Sequence, residues 1–200
     1  MPKPRQHTDG RVARGERTRE AIVAAHTALL LEGVLKPTGQ AIADRAEVSV
    51  RTLWSNFKDL EALLLETTAF WLAADDELRE VVDPDKPLHE RIAEYCAQRA
   101  RRLENIAPAA RSAALGEPFS PALHRSRKAH VDRLQSELEV LFARELAAAA
   151  GVGGDLLHGL ILATSWPTWQ LLRDDYLLPA DRAAAVMRHT CHALLDPWTE

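Results

Sequence analysis

The chain has 200 residues, 46% of them apolar and 27% charged, enough for one large or two small globular domains and incompatible with a disordered chain. Its two cysteines, Cys96 and Cys191, exclude a disulfide scaffold, and no run of about 18 apolar residues exists to cross a membrane. The net charge of −4 is uneven: residues 1–58 hold ten Lys and Arg against six Asp and Glu, a net of +4, and the rest holds 15 against 23, a net of −8. That asymmetry suggests a small anion-binding module on a larger acidic body. Met1–Glu20 is basic and polar and lacks the apolar core of a secretory leader, so the expected compartment is the cytoplasm.

Alternating β-branched runs are absent, and helical spacing recurs throughout. The first predicted helix, Arg17 to Leu31, sets Ile22, Ala25, Leu29 and Leu30 on one face and stops at Gly33. Thr38 is placed to cap a short helix over Gly39–Ala46, and Ser49 a second over Val50–Phe57, with Glu47-Val48 as the turn between them. Asp59 caps a long helix running to about Val82, ended by Asp83-Pro84. Five further helices are expected, over about residues 87–104, 106–115, 121–150, 154–173 and 180–195. Pro121 is a good first helical residue after Ser120. Pro167 should kink the helix in which it falls, by clashing with the Ala163 carbonyl. The fold class is therefore all-α, with about nine helices.

Residues 38–57 carry the informative pattern. Two short helices joined by a tight turn cross closely, which needs a small residue where they meet, supplied by Ala43. They also need apolar anchors, supplied by Ile42, Val48, Leu53 and Phe57. The opposite face of the second helix then carries Val50, Arg51, Thr52, Trp54, Ser55 and Asn56, side chains that hydrogen-bond, stack or make apolar contact with base edges and phosphates. An ordinary helical hairpin with solvated polar faces gives the same spacing. The basic arm upstream, Lys3, Arg5, Arg11, Arg14, Arg17 and Arg19, favours the DNA-binding reading, because such an arm reaches the backbone or the minor groove.

Over about residues 15–70 the sequence resembles the TetR family of transcriptional regulators. The resemblance rests on Ala21-Ile22 and Leu29, Glu32-Gly33, Thr38, Ile42-Ala43, Val48-Ser49, Thr52-Leu53-Trp54, Asn56-Phe57, Asp59 and Glu61-Ala62-Leu63-Leu64. It implies a three-helix helix-turn-helix DNA-binding domain over residues 1–58 and an effector-binding and dimerisation domain over 59–200. By the same resemblance Arg51 contacts bases or phosphates, with guanine the favoured base, Thr52 contacts phosphate, and Ser55 and Asn56 fall at further contact positions. Thr38 and Gln40 hold the DNA backbone, Lys58 lies near the strand, and Trp54 stands where the family usually has Tyr. Two positions depart from the pattern. Glu47 occupies a turn position that is usually Gly, and Leu60 one that is often Lys.

For the remaining 140 or so residues the resemblance implies a homodimer, formed through residues about 154–195, and a pocket for a small-molecule effector. Leu156, Leu157, Leu160, Ile161 and Thr164 share one helix side, as do Ala183, Val186, Met187, Thr190, Cys191, Leu194 and Leu195. Two such helices can meet their symmetry mates in a four-helix bundle, or pack within one chain. Trp71, Tyr95, Cys96, Trp166 and Trp169 are the candidate effector contacts, though each reads more readily as ordinary core packing.

No nucleophile elbow, P-loop or dinucleotide fingerprint occurs, so no enzyme and no cofactor are expected. His189 and His192 share a helix face without a third ligand at a matching offset, so no metal site is expected either. The resulting expectation is a regulator, in the likeness of a TetR repressor, that binds a palindromic DNA operator as a homodimer and is released by its effector. The alternative is a helical small-molecule-binding protein that has lost DNA reading.

Overall fold

A computed structural model describes residues 7–149 and 151–198, with side chains from residue 12 onward. Among the described residues the structure is all-helical, with no strand. None of its helices is long and apolar enough to cross a membrane. Packing divides the chain into two compact units. The first runs up to Trp71 and includes Pro108–Leu123; the second comprises Leu72–Ala107 and the segment from His124 onward. This is a division by contact, not by sequence order, so it does not coincide with a single cut at residue 58.

The first unit contains α1 (His7–Leu31), α2 (Gly39–Arg45), α3 (Val50–Asn56) and the start of α4 (Leu60–Glu77). α1 begins ten residues before the Arg17 start that the apolar spacing suggests. Its core gathers Ile22, Val23, Leu29, Ile42, Ala43, Leu53, Phe57 and Leu63, with Val48 and Val50 packed at its edge. Local side-chain chemistry sets the helix starts. Thr38 Oγ1 accepts from the Ala41 amide at 3.2 Å, Ser49 Oγ from Thr52 at 3.0 Å, Asp59 Oδ1 from Ala62 at 2.8 Å and Ser120 Oγ from Leu123 at 3.1 Å.

Two helix ends share one geometry. At the end of α1 the Gly33 amide donates to Leu30 O and Val34 to Leu29 O, both at 3.0 Å, with Gly33 at φ +85°. At the end of α2 Glu47 donates to Asp44 O at 3.2 Å and Val48 to Ala43 O at 3.0 Å, with Glu47 at φ +54°. Each pair closes a Schellman turn around a left-handed residue. Glycine adopts that conformation without a Cβ clash, whereas Glu47 adopts it at a cost of about 1–2 kcal/mol.

The second unit contains the end of α4 from Leu72, α5 (Leu88–Gly116) up to Ala107 and α6 (Pro121–Leu141) from His124, with α7 (Ala143–Ala148), α8 (Gly153–Thr164), α9 (Trp166–Gln170) and α10 (Ala180–Leu195); the rest of α5 and α6 belongs to the first unit. Its core includes Ile92, Tyr95, Leu103, Leu134, Leu138, Phe142, Leu160, Trp169, Met187 and Leu195. Besides the start of α1, four helix boundaries differ from the sequence expectation, and three of them have a visible cause in this unit. α4 stops at Glu77 rather than about Val82. Beyond it, the buried Gln98 side chain accepts from the Glu80 amide at 3.0 Å and donates to the Glu80 carbonyl at 2.7 Å, taking both backbone groups that a helix would use. The expected 121–150 helix breaks at Phe142, where Arg91 Nη1 donates to the Leu141 carbonyl at 2.7 Å. The expected 154–173 helix breaks at Ser165, where Arg99 Nε donates to the Thr164 carbonyl at 2.9 Å. Pro167 therefore lies in the first turn of a new helix rather than inside a kinked one. In the fourth case, the two helices expected over 87–104 and 106–115 are one, with Pro108 inside it.

Arg91, Arg99 and Arg102 on α5 are all buried. Arg91 pairs with Glu145 Oε1 at 2.5 Å. Arg102 pairs with Asp75 at 2.8 Å and Glu137 at 2.9 Å. Desolvation raises the Asp75 pKa, but the hydrogen bond and charge of Arg102 outweigh it and hold the carboxyl below its usual range. Arg99 Nη2 faces His130 Nε2 at 3.4 Å. Burial, and then the Arg99 charge, push the His130 imidazole down to about 4.

Two measurements follow from this packing. Glu47→Gly removes the left-handed penalty but adds unfolded-state entropy, for a net gain of about 0.5–1 kcal/mol, to be read by urea denaturation. The His26 pKa is also lowered by burial, to about 4. Both histidines bind a proton more weakly folded than unfolded, so their contribution to stability is full above about pH 6.5 and falls as pH drops toward 4. Denaturation midpoints measured across that range should decline, and His130→Gln should flatten the decline.

Candidate nucleic-acid interface

α3 is seven residues long and buries one of them fully, Leu53. The side opposite Leu53 exposes Arg51, Trp54 and Ser55, while Val50, Thr52 and Asn56 are half-buried at its margins. The Ser49 and Thr52 hydroxyls lie 2.8 Å apart at its start. Near its end, the Ser55 hydroxyl and Asn56 Nδ2 both donate to the Thr52 carbonyl at 2.8 Å. That bond uses one of the two Asn56 amide hydrogens and leaves the other, with the amide oxygen, for a second partner.

Trp54 is 41% exposed. Its ring lies flat enough against α2 that a Cβ on Gly39 would come within 2.5 Å of Trp54 Cζ2. A larger residue at position 39 would therefore have to displace the Trp54 ring. Gln40 is exposed and donates to Asp44 Oδ1 at 2.7 Å, and Thr38 is exposed while capping α2. Arg17, Arg51 and Lys58 are exposed and have no hydrogen-bond or ion-pair partner among the described residues. They are cations available to an external anion.

Arg19 is different from the arm residues with which its charge groups it. Its Nε donates to Glu66 Oε1 at 2.8 Å and its Nη2 to Glu66 Oε2. Its Nη1 donates to the Asn56 carbonyl at 2.5 Å, and the guanidinium sits 4.1 Å over the Phe57 ring. Arg19 therefore binds the end of α3 to α1 and α4 and is not available as a flexible contact. Arg14 is exposed. Lys3, Arg5 and the Arg11 side chain lie outside the described residues.

The five candidate effector contacts do not form one cluster. Trp71 lies in the first unit, packed with Leu30 and Ala109 and edge-on to Phe70 at 6.3 Å. The other four belong to the second unit. Trp169 is buried, and its Nε1 donates to Glu104 Oε1 at 2.8 Å, an oxygen that also accepts from Arg173 Nε at 2.8 Å. Trp166 is half-buried against the same core. Hydrogen bonding with Cys191, together with burial, pushes the Cys96 thiol up. Tyr95 packs edge-on to Phe142 at 6.1 Å and lines a cavity of about 580 Å³ with Val82, Gln98, Arg79 and Ser136. Its hydroxyl has no hydrogen bond of good geometry, and the Thr164 hydroxyl gives its own hydrogen to Leu160 O at 2.8 Å.

Sequence reasoning missed the charged lining of that cavity and the buried arginine row beside it. The row's one signal is spacing, since Arg91, Arg99 and Arg102 recur near one face of a helix. Among the described residues no group of three or more His, Cys, Asp or Glu side chains is placed to hold a metal ion. The chain matches no known protein-family model and no curated protein.

Arg19→Met keeps much of the side-chain stem but removes the donors to Glu66 and Asn56. It should lower stability by about 1–3 kcal/mol, since a charged hydrogen-bond partner is lost, with the loss read by thermal unfolding. A change within error would remove Arg19 from its structural role.

Proposed function

We propose that this protein is a transcriptional regulator of TetR type, a repressor that binds a palindromic DNA operator as a homodimer and is released by a small-molecule effector. The observation that carries the reading is the α2–α3 pair. Two short helices, each capped by a hydroxyl, meet through Ala43 and Gly39 and leave Arg51, Trp54 and Ser55 outward. A helix presented in this way suits the major groove, with Arg51 donating to a guanine edge. Ser55 supplies a shorter base contact, and Asn56 another through its second amide hydrogen. Thr52, Thr38, Gln40, Lys58 and Arg17 serve the phosphates, and the flat Trp54 ring lies between the two roles.

Homodimerisation is supported by what α8 and α10 leave uncovered. Ala183, Met187, Cys191 and Leu195 are buried within the chain, but Leu162 is 67% and Val186 41% exposed. Apolar side chains on neighbouring helices form a face that a second copy would cover. Two copies related by a two-fold axis read half-sites about one helical turn apart. The Tyr95 cavity is the second unit's candidate sensor.

A second reading is favoured by specific residues. Asp44 and Glu47 are exposed on α2 and its turn, where they repel phosphate, and Leu60 is 40% exposed where the family often has Lys. A ligand-binding protein that has lost DNA reading fits those three. Selection of bound fragments from the source genome at about 0.15 M salt separates the readings. The regulator yields an enriched palindrome, and Arg51→Ala then costs about 1–3 kcal/mol of affinity with relaxed preference at one base pair. No enrichment by folded, dimeric protein would favour the ligand-binding reading.

A further inference from the structure

A groove of about 510 Å³ lies wholly within the first unit. It is framed by the segment before α2, the start of α4 and the Ser112–Leu123 stretch, and its walls include Leu35, Leu60, Leu64, Phe119 and Leu123. Phe119 is 87% exposed there. Most polar groups lining it are already committed. Ser112 Oγ donates to the Leu35 carbonyl at 2.9 Å. Ser120 Oγ donates to Glu61 Oε1 at 2.6 Å and accepts from the Leu123 amide at 3.1 Å.

His26, 4% exposed, also lines the groove. Its Nδ1 lies 2.8 Å from Thr67 Oγ1. Thr67 is fully buried, and His26 Nδ1 is the acceptor available to its hydroxyl among the described residues. The Thr67 hydroxyl therefore donates, Nδ1 accepts, and the ring hydrogen resides on Nε2. Burial keeps the imidazole neutral at pH 7, with its pKa pushed down to about 4. Among the described residues Nε2–H has no partner, and it is not one of the enclosed polar atoms. It is a fixed, neutral donor on a ring that forms part of an apolar groove.

We propose that this groove binds a small, uncharged, largely apolar molecule through a hydrogen bond from His26 Nε2 to the oxygen of a ketone, ester or amide. Lys36 and Glu61 flank the groove with opposite charges, so neither an anion nor a cation is favoured. The bound molecule touches Thr38 and Gly39 at the start of α2, and Gly39 is the residue against which Trp54 packs. It also touches Leu60 and Glu61 at the start of α4. Binding here does not depend on the operator reading, and the assay contains no DNA.

Acetophenone and ethylbenzene have nearly the same shape and differ in the acceptor oxygen. Titrated into the full chain and followed by NMR, acetophenone should move the amides of residues 35–39, 60–64 and 112–123 and the His26 Nε2 resonance. It should bind about tenfold more tightly than ethylbenzene, the value of one buried hydrogen bond. His26→Phe should abolish that preference, and Leu64→Trp, which fills the groove, should abolish binding of both. Equal affinities, shifts confined to other residues, or no binding by the unaltered protein would overturn the proposal. The His26 resonance requires no substitution, so a variant that fails to fold leaves the test intact.

Discussion

Every helix end releases carbonyl groups that must find a donor, and in this chain the donors determine where helices stop. Two kinds of solution recur. Gly33 and Glu47 turn the backbone left-handed, so that the next two amides reach back into the helix just completed. Elsewhere a guanidinium comes from another element: Arg19 to Asn56, Arg91 to Leu141 and Arg99 to Thr164. The second kind couples termination to tertiary structure. A helix end capped by a distant arginine holds its place only while that arginine is held, as Arg19 is by Glu66 and Arg91 by Glu145.

The same constraint decides how charge is used. Arg102 joins two carboxylates, Asp75 and Glu137, which leaves that triad with one excess negative charge. Arg99 has a carbonyl and an imidazole for hydrogen-bond partners, and it supplies the balancing positive charge. Burial lowers its pKa, while Asp75 and Glu137 act to raise it. Asp75, Arg99 and Arg102 are buried and Glu137, also 3.9 Å from Arg79, is half-buried, so the opposite charges offset one another; removing one buried member would leave an uncompensated ion in the core. In the first unit the distribution is opposite. Arg19 is consumed internally, and Arg17, Arg51 and Lys58 stay outward without internal partners among the described residues.

What was legible in the sequence follows from this distinction. Thr38, Ser49, Asp59 and Ser120 act on amides three residues away, so the starts of α2, α3, α4 and α6 could be read from local chemistry. The buried and exposed sides of α3 followed from periodicity, with Leu53 inward and Arg51 outward. The breaks at Phe142 and Ser165 could not be read, because their donors lie 50 and 65 residues away in sequence. Pro167 signalled a fault in its helix but not the position, two residues earlier, where Arg99 takes the carbonyl. Arg19 was read with the basic arm because its charge is visible in sequence and its pairing with Glu66, 47 residues away, is not. The continuity of α5 through Pro108 had no local signal, since proline ordinarily argues for a boundary.

Against so much matched polarity, the unmatched groups gain meaning from their surroundings. The Trp71 indole N–H is enclosed in a small apolar cluster, where a missing partner is a plain cost of about 1–3 kcal/mol. The Tyr95 hydroxyl and His26 Nε2 belong to residues that line open grooves, where a ligand oxygen can pair with them. The enclosed Tyr95 hydroxyl would contribute to binding twice, through the bond it forms and through desolvation already borne by the empty protein, whereas His26 Nε2 is not enclosed and contributes through its bond. Burial acts on both in the same sense, raising the phenol pKa and lowering the imidazole pKa, so each is uncharged at neutral pH. In the largely apolar His26 groove a neutral donor selects for shape and one acceptor atom rather than for charge, whereas the Tyr95 cavity adds charged walls. That selectivity contrasts with the outward face of α3, whose free cations suit a polyanion.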